Sequence, residues 1–221
     1  MFDFASTTAR WHALDRAAKI EIGLSYLFRL LLLAGLVTAG IQGLWLMAFT
    51  IFLGLLCTFL PSLLNRNYLL TLPTEFEFLL TLFVYASIGL GEYAGFYTTF
   101  WWWDLVLHSG AGFGLGLVGF LILYSFYAKG MLRMHPLLIV VFSFAFSLAL
   151  GVLWEIFEFS MDHIFLTTMQ KSGLMDTMSD LIVDAMGALL ISWIGYLHLK
   201  HCHCKGKMGI VDTLIHRFMH S

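Results

Sequence analysis

The chain is short of charge, of proline and of cysteine. Only 12% of its 221 residues are Asp, Glu, Lys or Arg, while 60% are hydrophobic; a soluble domain carries about a quarter charged residues. That balance excludes an ordinary soluble domain and describes a polytopic membrane protein with a mean hydropathy of +0.85. A formal net charge of −2 lacks the basic footprint of a nucleic-acid binder, so no nucleic-acid partner is expected. Proline occurs only at Pro61, Pro73 and Pro136, and no Pro/Gly/Ser-rich linker divides the chain. Cys57, Cys202 and Cys204 make no disulfide framework; Cys57, inside an apolar run, reads as buried filler. A cleavable signal peptide is not expected. The first apolar run begins only near Leu24, and Asp3, Asp15 and Glu21 interrupt what precedes it.

What the chain does have is six apolar segments, near residues 23–41, 43–64, 77–96, 104–128, 136–160 and 179–199. Each is near the length that crosses about 30 Å of hydrocarbon. The expected fold is all-α, a polytopic transmembrane bundle of six helices spanning 23–199. Residues 1–22 form a cytoplasmic interfacial segment, helical with Trp11, Leu14 and Ala18 on one face or a partly ordered tail; residues 200–221 form a cytoplasmic tail. The very short connection at Ile41–Gly43 predicts an antiparallel hairpin. Arg10, Arg16, Lys19, Arg66, Lys129, Arg133, Lys200, Lys205, Lys207 and Arg217 fall on one set of loops and ends, against Lys171 on the other. By the positive-inside rule both termini are cytoplasmic. Arg29, near the cytoplasmic end of its span, is expected to snorkel to the headgroups.

Against this poverty of charge, the stretch from Trp154 to Asp184 carries Glu155, Glu158, Asp162, Asp176, Asp180 and Asp184. A charged side chain near the centre of a membrane helix costs about 2.5–3.5 kcal/mol on insertion scales, so packing alone does not account for them. Asp104 and His108 are four apart and share a helix face. Glu155, Glu158 and Asp162 follow i, i+3, i+7; Asp176, Asp180 and Asp184 follow i, i+4, i+8. The topology carries all of them, with Glu92, toward the outer leaflet, where Lys171 is the nearby cation. Two routes relieve the repulsion: shared protons, or a divalent cation (Mg, Mn or Zn) held by oxygen ligands and one histidine. Such sites are built from facing helices of bundles. The metal ligands expected are Glu155, Glu158, Asp176, Asp180 and Asp184, with His108 or Asp104 as acid or base.

Plainer roles stand beside these. Asp176 could cap its helix and Asp180 complement the dipole. Glu92, Asp104 and Asp162 could be solvated boundary residues, and His108 a hydrogen-bonded core residue. Tyr97 and Trp101–Trp103 suit an interfacial aromatic belt. Gly110, Gly112, Gly114 and Gly116 offer small-residue pairs for close helix packing; a phosphate cradle is the weaker reading, since no P-loop lysine follows. His198, His201, Cys202, His203 and Cys204 form a second cluster for a soft metal, although their spacing fits no standard zinc module.

Asp104-x-x-x-His108, Trp154-Glu155 with Glu158, and Asp176-Thr177-x-x-Asp180 with Asp184 and Gly187 resemble the YjdF-like membrane proteins, a bacterial family, and more distantly the VanZ-like proteins. The resemblance covers roughly residues 90–195. It implies an inner or plasma membrane location and, on the VanZ side, a link to the cell-envelope glycopeptide response. Three functions follow from the residues. The first is metal-assisted chemistry on a lipid or cell-envelope headgroup. The second is a cation- or proton-coupled carrier, weakened by the lack of an evident inverted repeat. The third is a non-enzymatic envelope-stress or assembly factor.

Overall fold

A computed structural model describes residues 15–66, 74–128, 130–132, 134–171 and 173–202. Among these, all regular secondary structure is helical. Six helices are long and apolar enough to cross a membrane: Arg16–Ile41, Trp45–Leu63, Thr74–Tyr93, Trp103–Tyr127, Pro136–Phe165 and Leu174–Lys200. The all-α, six-span expectation holds. The first helix starts where Asp15 accepts a hydrogen bond from the Ala18 N–H (2.8 Å), so residues 16–22 run straight into the first apolar segment. Residues 1–14, and with them most of the expected interfacial segment, lie outside the described residues.

The chain forms two compact units that meet in sequence between Thr99 and Phe100. The first contains α1 (Arg16–Ile41), α2 (Trp45–Cys57), α3 (Leu60–Arg66), α4 (Thr74–Val84) and α5 (Phe96–Thr99). The α1–α2 hairpin turns at Gly43, whose φ of 74° suits a residue without Cβ. The helix of α4 continues as a π-helix over Tyr85–Tyr93, closed by a bond from the Ala94 N–H to the Gly89 carbonyl (3.1 Å). Leu32, Ala39, Ala48, Ile51 and Val84 form the core.

Two expectations are corrected in this unit. Arg29 does not snorkel: it is 7% exposed. Its guanidinium donates to Glu77 Oε1 (2.8 Å), the Thr58 carbonyl (2.6 Å) and Thr58 Oγ1 (3.0 Å) and lies over the Phe59 ring. Glu77 from the third span and Thr58 together hold the guanidinium inside the protein in place of the headgroups. Cys57 is exposed, not buried; it shares the outward side of its helix with Phe52, Leu53 and Leu56.

The second unit is α6 (Trp103–Ala128), α7 (Pro136–Phe165) and α8 (Leu174–Cys202). Each helix buries a stripe with four-residue spacing: His108, Gly112, Gly116 and Phe120 on α6; Ser143, Ser147, Gly151 and Glu155 on α7; Asp180, Asp184, Ala188 and Ser192 on α8. Small residues at this spacing let backbones approach. A Cβ on Gly112 would run into the backbone of Asp184, and one on Gly187 into Ser109 O and Phe113 N. Gly110 and Gly114 face open space, so only the Gly112 and Gly116 pair of the expected small-residue motif is used. Buried serines fasten α7 to the glycine positions of α6: Ser147 Oγ donates to Gly112 O (2.7 Å) and Ser143 Oγ to Gly116 O (2.6 Å).

Three consequences can be measured by thermal unfolding in detergent. Gly187→Ala should destabilise by about 1–3 kcal/mol, because backbone must yield. Gly110→Ala, on the open face, should be neutral or stabilise by up to about 1 kcal/mol. Arg29→Ala should cost up to about 3 kcal/mol by stranding Glu77, with Arg29→Met/Glu77→Leu recovering much of it.

Candidate functional site

Because consecutive helices are antiparallel, the start of α6, the end of α7 and the start of α8 meet at one end of the second unit. His108 stands in the middle. Its Nδ1 lies 3.4 Å from Asp184 Oδ2, and its Nε2 lies 4.0 Å from both Glu155 Oε1 and Asp180 Oδ2 and 3.8 Å from Asp104 Oδ1. Glu155 is 4% exposed, Asp180 and Asp184 2% each, and His108 9%. The stripes explain this burial. The acids of α7 and α8 continue the same helix faces that pack through serine, glycine and alanine further along, so they point at neighbouring helices.

Room for the acids is cut by glycine. A Cβ on Gly151 would sit 2.5 Å from Asp184 Oδ2, so α7 leaves a notch into which the Asp184 carboxylate fits. Seated there, Asp184 reaches the inner nitrogen of His108 and leaves Nε2 turned toward Glu155 and Asp180. A carboxylate on the far nitrogen orients an imidazole and fixes its tautomer.

Glu155 is the group without an answer. Neither Oε1 nor Oε2 has a hydrogen-bond partner, and both are buried. The Thr177 hydroxyl interacts with it from α8 but stands outside hydrogen-bond geometry. A buried carboxylate left in that condition is costly. One ligand atom from each of His108, Glu155 and Asp180 can be chosen so that all lie within 4.8 Å of one another; the same is true of Asp104, Asp176 and Asp180.

The rim differs from the centre. Asp104, half-buried, accepts from Lys171 Nζ (2.8 Å), so it is ion-paired rather than merely solvated. Asp176 lies inside the first turn of α8 and accepts from the Lys171 N–H (3.0 Å), tying the preceding loop instead of capping its own helix. Asp162 gathers that loop: its carboxylate accepts from Thr167 Oγ1 (2.6 Å), the Met169 N–H (2.7 Å) and the Gln170 N–H (2.8 Å). These bonds hold a chain that leaves α7 through Leu166 at φ 55°, a left-handed position that disfavours a branched side chain. Glu158 belongs to neither ligand triad. It accepts from Trp154 Nε1 on its own helix (2.9 Å), while its charge still acts on Glu155. Glu92 is exposed and belongs to the first unit.

Of the residues singled out in the sequence, then, His108, Asp104, Glu155, Asp176, Asp180 and Asp184 converge, and Glu158 stands beside them outside both triads. Gly151 and the loop role of Asp162 were not singled out for the site, and Thr177 entered only as part of the Asp176-Thr177-x-x-Asp180 motif. The four-residue register of Gly151 with Glu155 is the one signal that pointed to Gly151. His203 and Cys204 lie outside the described residues; of the tail cluster, His198 packs its ring edge-on to Tyr124 at 5.9 Å. Removing the loop's anchor should expose it. Asp162→Ala is expected to raise the rate of tryptic cleavage after Lys171 several-fold in detergent, while Ser160→Ala leaves it near wild type; equal rates would contradict the loop assignment.

Comparison with known proteins agrees with this arrangement of membrane-length helices. A Thermotoga maritima protein described as uncharacterized is 32% identical over 129 residues, covering 57% of this chain and 64% of that protein. The chain thus spans just under two thirds of that relative. No solved structure matches. Residues 23–201 match the family described as "Predicted membrane protein (DUF2238)", a match that takes in all six membrane-length helices from the first apolar run onward. The chain belongs to that family of membrane proteins.

Proposed function

We propose that the end of the second unit built by α6, α7 and α8 binds a divalent cation through His108, Glu155 and Asp180 and uses it in chemistry on a lipid or cell-envelope headgroup. The observation that carries this reading is Glu155, a buried carboxylate with two unpartnered oxygens beside an imidazole nitrogen and a second buried acid. Two carboxylates and one histidine suit Mg, Mn or Zn, with Mn and Zn better matched to the nitrogen ligand. Asp184 serves as the outer carboxylate that holds His108 in register, so it supports the ligands and is not one of them. His108 then acts as ligand, and Asp104 at the rim is the acid or base nearest an entering substrate. A bound cation of this kind polarises a headgroup oxygen or an attached water. The excess of Lys and Arg on the opposite loops supports a site facing the outer leaflet, at headgroup depth.

One feature favours surface chemistry over passage of an ion across the membrane. The buried hydroxyls beyond the acids, Ser147 and Ser143, are spent on the Gly112 and Gly116 carbonyls. Ser143 also accepts from Ser192 Oγ (3.3 Å), so these hydroxyls are tied into the packing of the three helices.

Elemental analysis after incubation with Mg, Mn or Zn and dialysis tests the reading. About one equivalent of metal is expected in the wild type, lost in Glu155→Gln and Asp180→Asn and retained in Glu158→Gln. Wild-type protein free of metal, or metal retained in Glu155→Gln, contradicts it. With metal established, covalent change of phospholipid or undecaprenyl-type lipid by reconstituted protein marks the enzyme; cation uptake without such change marks a carrier.

A further inference from the structure

We infer that the first unit carries a binding site of its own: a hollow between α1 and the π-helix that takes the hydrocarbon chain of a bilayer lipid with a hydroxyl in its head. The inference is independent of the cation reading above and stands on a different set of residues.

The hollow has a volume of about 320 Å³. That is about twice the size of an apolar cavity that takes up benzene, and it lies within the range of small-molecule sites. Leu31, Leu32 and Ala34 of α1, Ile51 of α2 and Leu90 of the π-helix give it apolar walls, and none of the residues lining it is charged. Gly35 and Gly89 line it as well, and a Cβ on Gly35 would meet nothing closer than Ile51 Cδ1 at 3.7 Å. One wall is the π-helix itself, a wide and rare geometry that is frequent at functional sites.

One end of the hollow is polar. The Thr38 and Tyr93 hydroxyls lie 2.7 Å apart, and both residues belong to the lining. Thr38 Oγ1 lies 3.0 Å from the Ala34 and Gly35 carbonyls, to which it donates its one proton. Tyr93 is then the donor to Thr38, and its own oxygen keeps the capacity to accept from a further donor. Both residues stand near the C-terminal ends of their spans, Arg16–Ile41 and Thr74–Tyr93. Leu31 and Tyr85 lie seven and eight residues further back, and seven residues of α-helix cover about 10 Å. The hollow therefore runs from the edge of the membrane-length segment into its apolar interior, where the Tyr85 ring stacks on Phe28 at 4.9 Å.

A ligand that matches this layout has a hydrogen-bond donor at the membrane edge and a chain directed inward. With no carboxylate in the walls, a neutral hydroxyl fits better than an ammonium, whose charge would go unmatched. Leu31 and Thr38 are exposed, so the chain enters from the side, out of the surrounding lipid. The acceptor at Tyr93 separates this position from the general apolar surface of the helices, where any chain packs equally well.

The experiment uses full-length protein in nanodiscs of phosphatidylcholine, a lipid whose head has no hydrogen-bond donor. The probe is a monoacylglycerol with a photoreactive diazirine in its chain, and labelled peptides are mapped by mass spectrometry. Labelling should saturate, concentrate on residues 31–38 and 85–94, and be competed by unlabelled monoacylglycerol but not by the methyl ester of the same chain. Gly35→Leu, which fills the hollow, should abolish it. Gly23→Leu, on the same helix with nothing within 4 Å, should leave it intact. Tyr93→Phe keeps the walls and should raise the half-saturating concentration about two- to tenfold, the scale of one hydrogen bond. Label spread evenly over the lipid-facing helices, or retained in Gly35→Leu, overturns the site. A dimer that Gly35→Leu dissociates gives the hollow to a second copy and overturns it too. If Gly35→Leu does not fold, Tyr93→Phe decides, and half-saturation unchanged from wild type refutes the proposal.

Discussion

The close passage of α6 against α8 governs the second unit. Gly112 and Gly187 each lie where a Cβ would strike the opposite backbone, so the helices are in contact through main chain. Residues one turn further along the same faces are then forced within side-chain reach. On α6 that residue is His108 and on α8 it is Asp184, and their 3.4 Å approach follows from the crossing. The serines of α7 attach the third helix to the Gly112 and Gly116 carbonyls and thereby set Glu155 at the same level. A site of this kind is held by helix backbones, which positions ligands better than a loop does.

Both units meet the cost of burying charge in an apolar fold, and they meet it differently. In the first, Arg29 is matched by Glu77 and by the Thr58 carbonyl and hydroxyl, so its Nε and Nη2 groups find acceptors within the unit. The second gathers acids around the His108 imidazole and, among the described residues, leaves both oxygens of Glu155 without a hydrogen-bond partner. The first arrangement is complete as a structural ion pair. The second leaves two buried carboxylate oxygens unmet, and that asymmetry is what the proposed cation would answer.

Much of this was legible in the sequence because it depends on period and composition. Apolar runs of membrane length gave the helices, and the spacing of Asp104 with His108 and of Asp176, Asp180 and Asp184 gave two faces. What was not legible depends on partners far apart in the chain. Arg29 reads as a snorkelling residue until Glu77, 48 positions away, is seen beside it. Glu158 looked equivalent to Glu155 because i, i+3 lies roughly on one face; the packing of α7 selects a four-residue stripe through Ser147, Gly151 and Glu155, which turns Glu158 aside to Trp154. Asp162 lies on the face of Glu155 but two turns further out, where loop N–H groups claim it. The π-helix at Tyr85–Tyr93 has no sequence period to announce it.

The claim beneath all of this is that α6, α7 and α8 bring His108, Glu155 and Asp180 to one point. Paired cysteines in a chain otherwise freed of cysteine, treated in native membranes with a methylene-bridged bis-thiosulfonate, measure that directly. Cysteines at 108 with 155, and at 108 with 180, should cross-link efficiently, whereas 108 with 196, toward the far end of α8, should not. No cross-link at either of the first two pairs, with equal labelling of the single cysteines, would contradict the account.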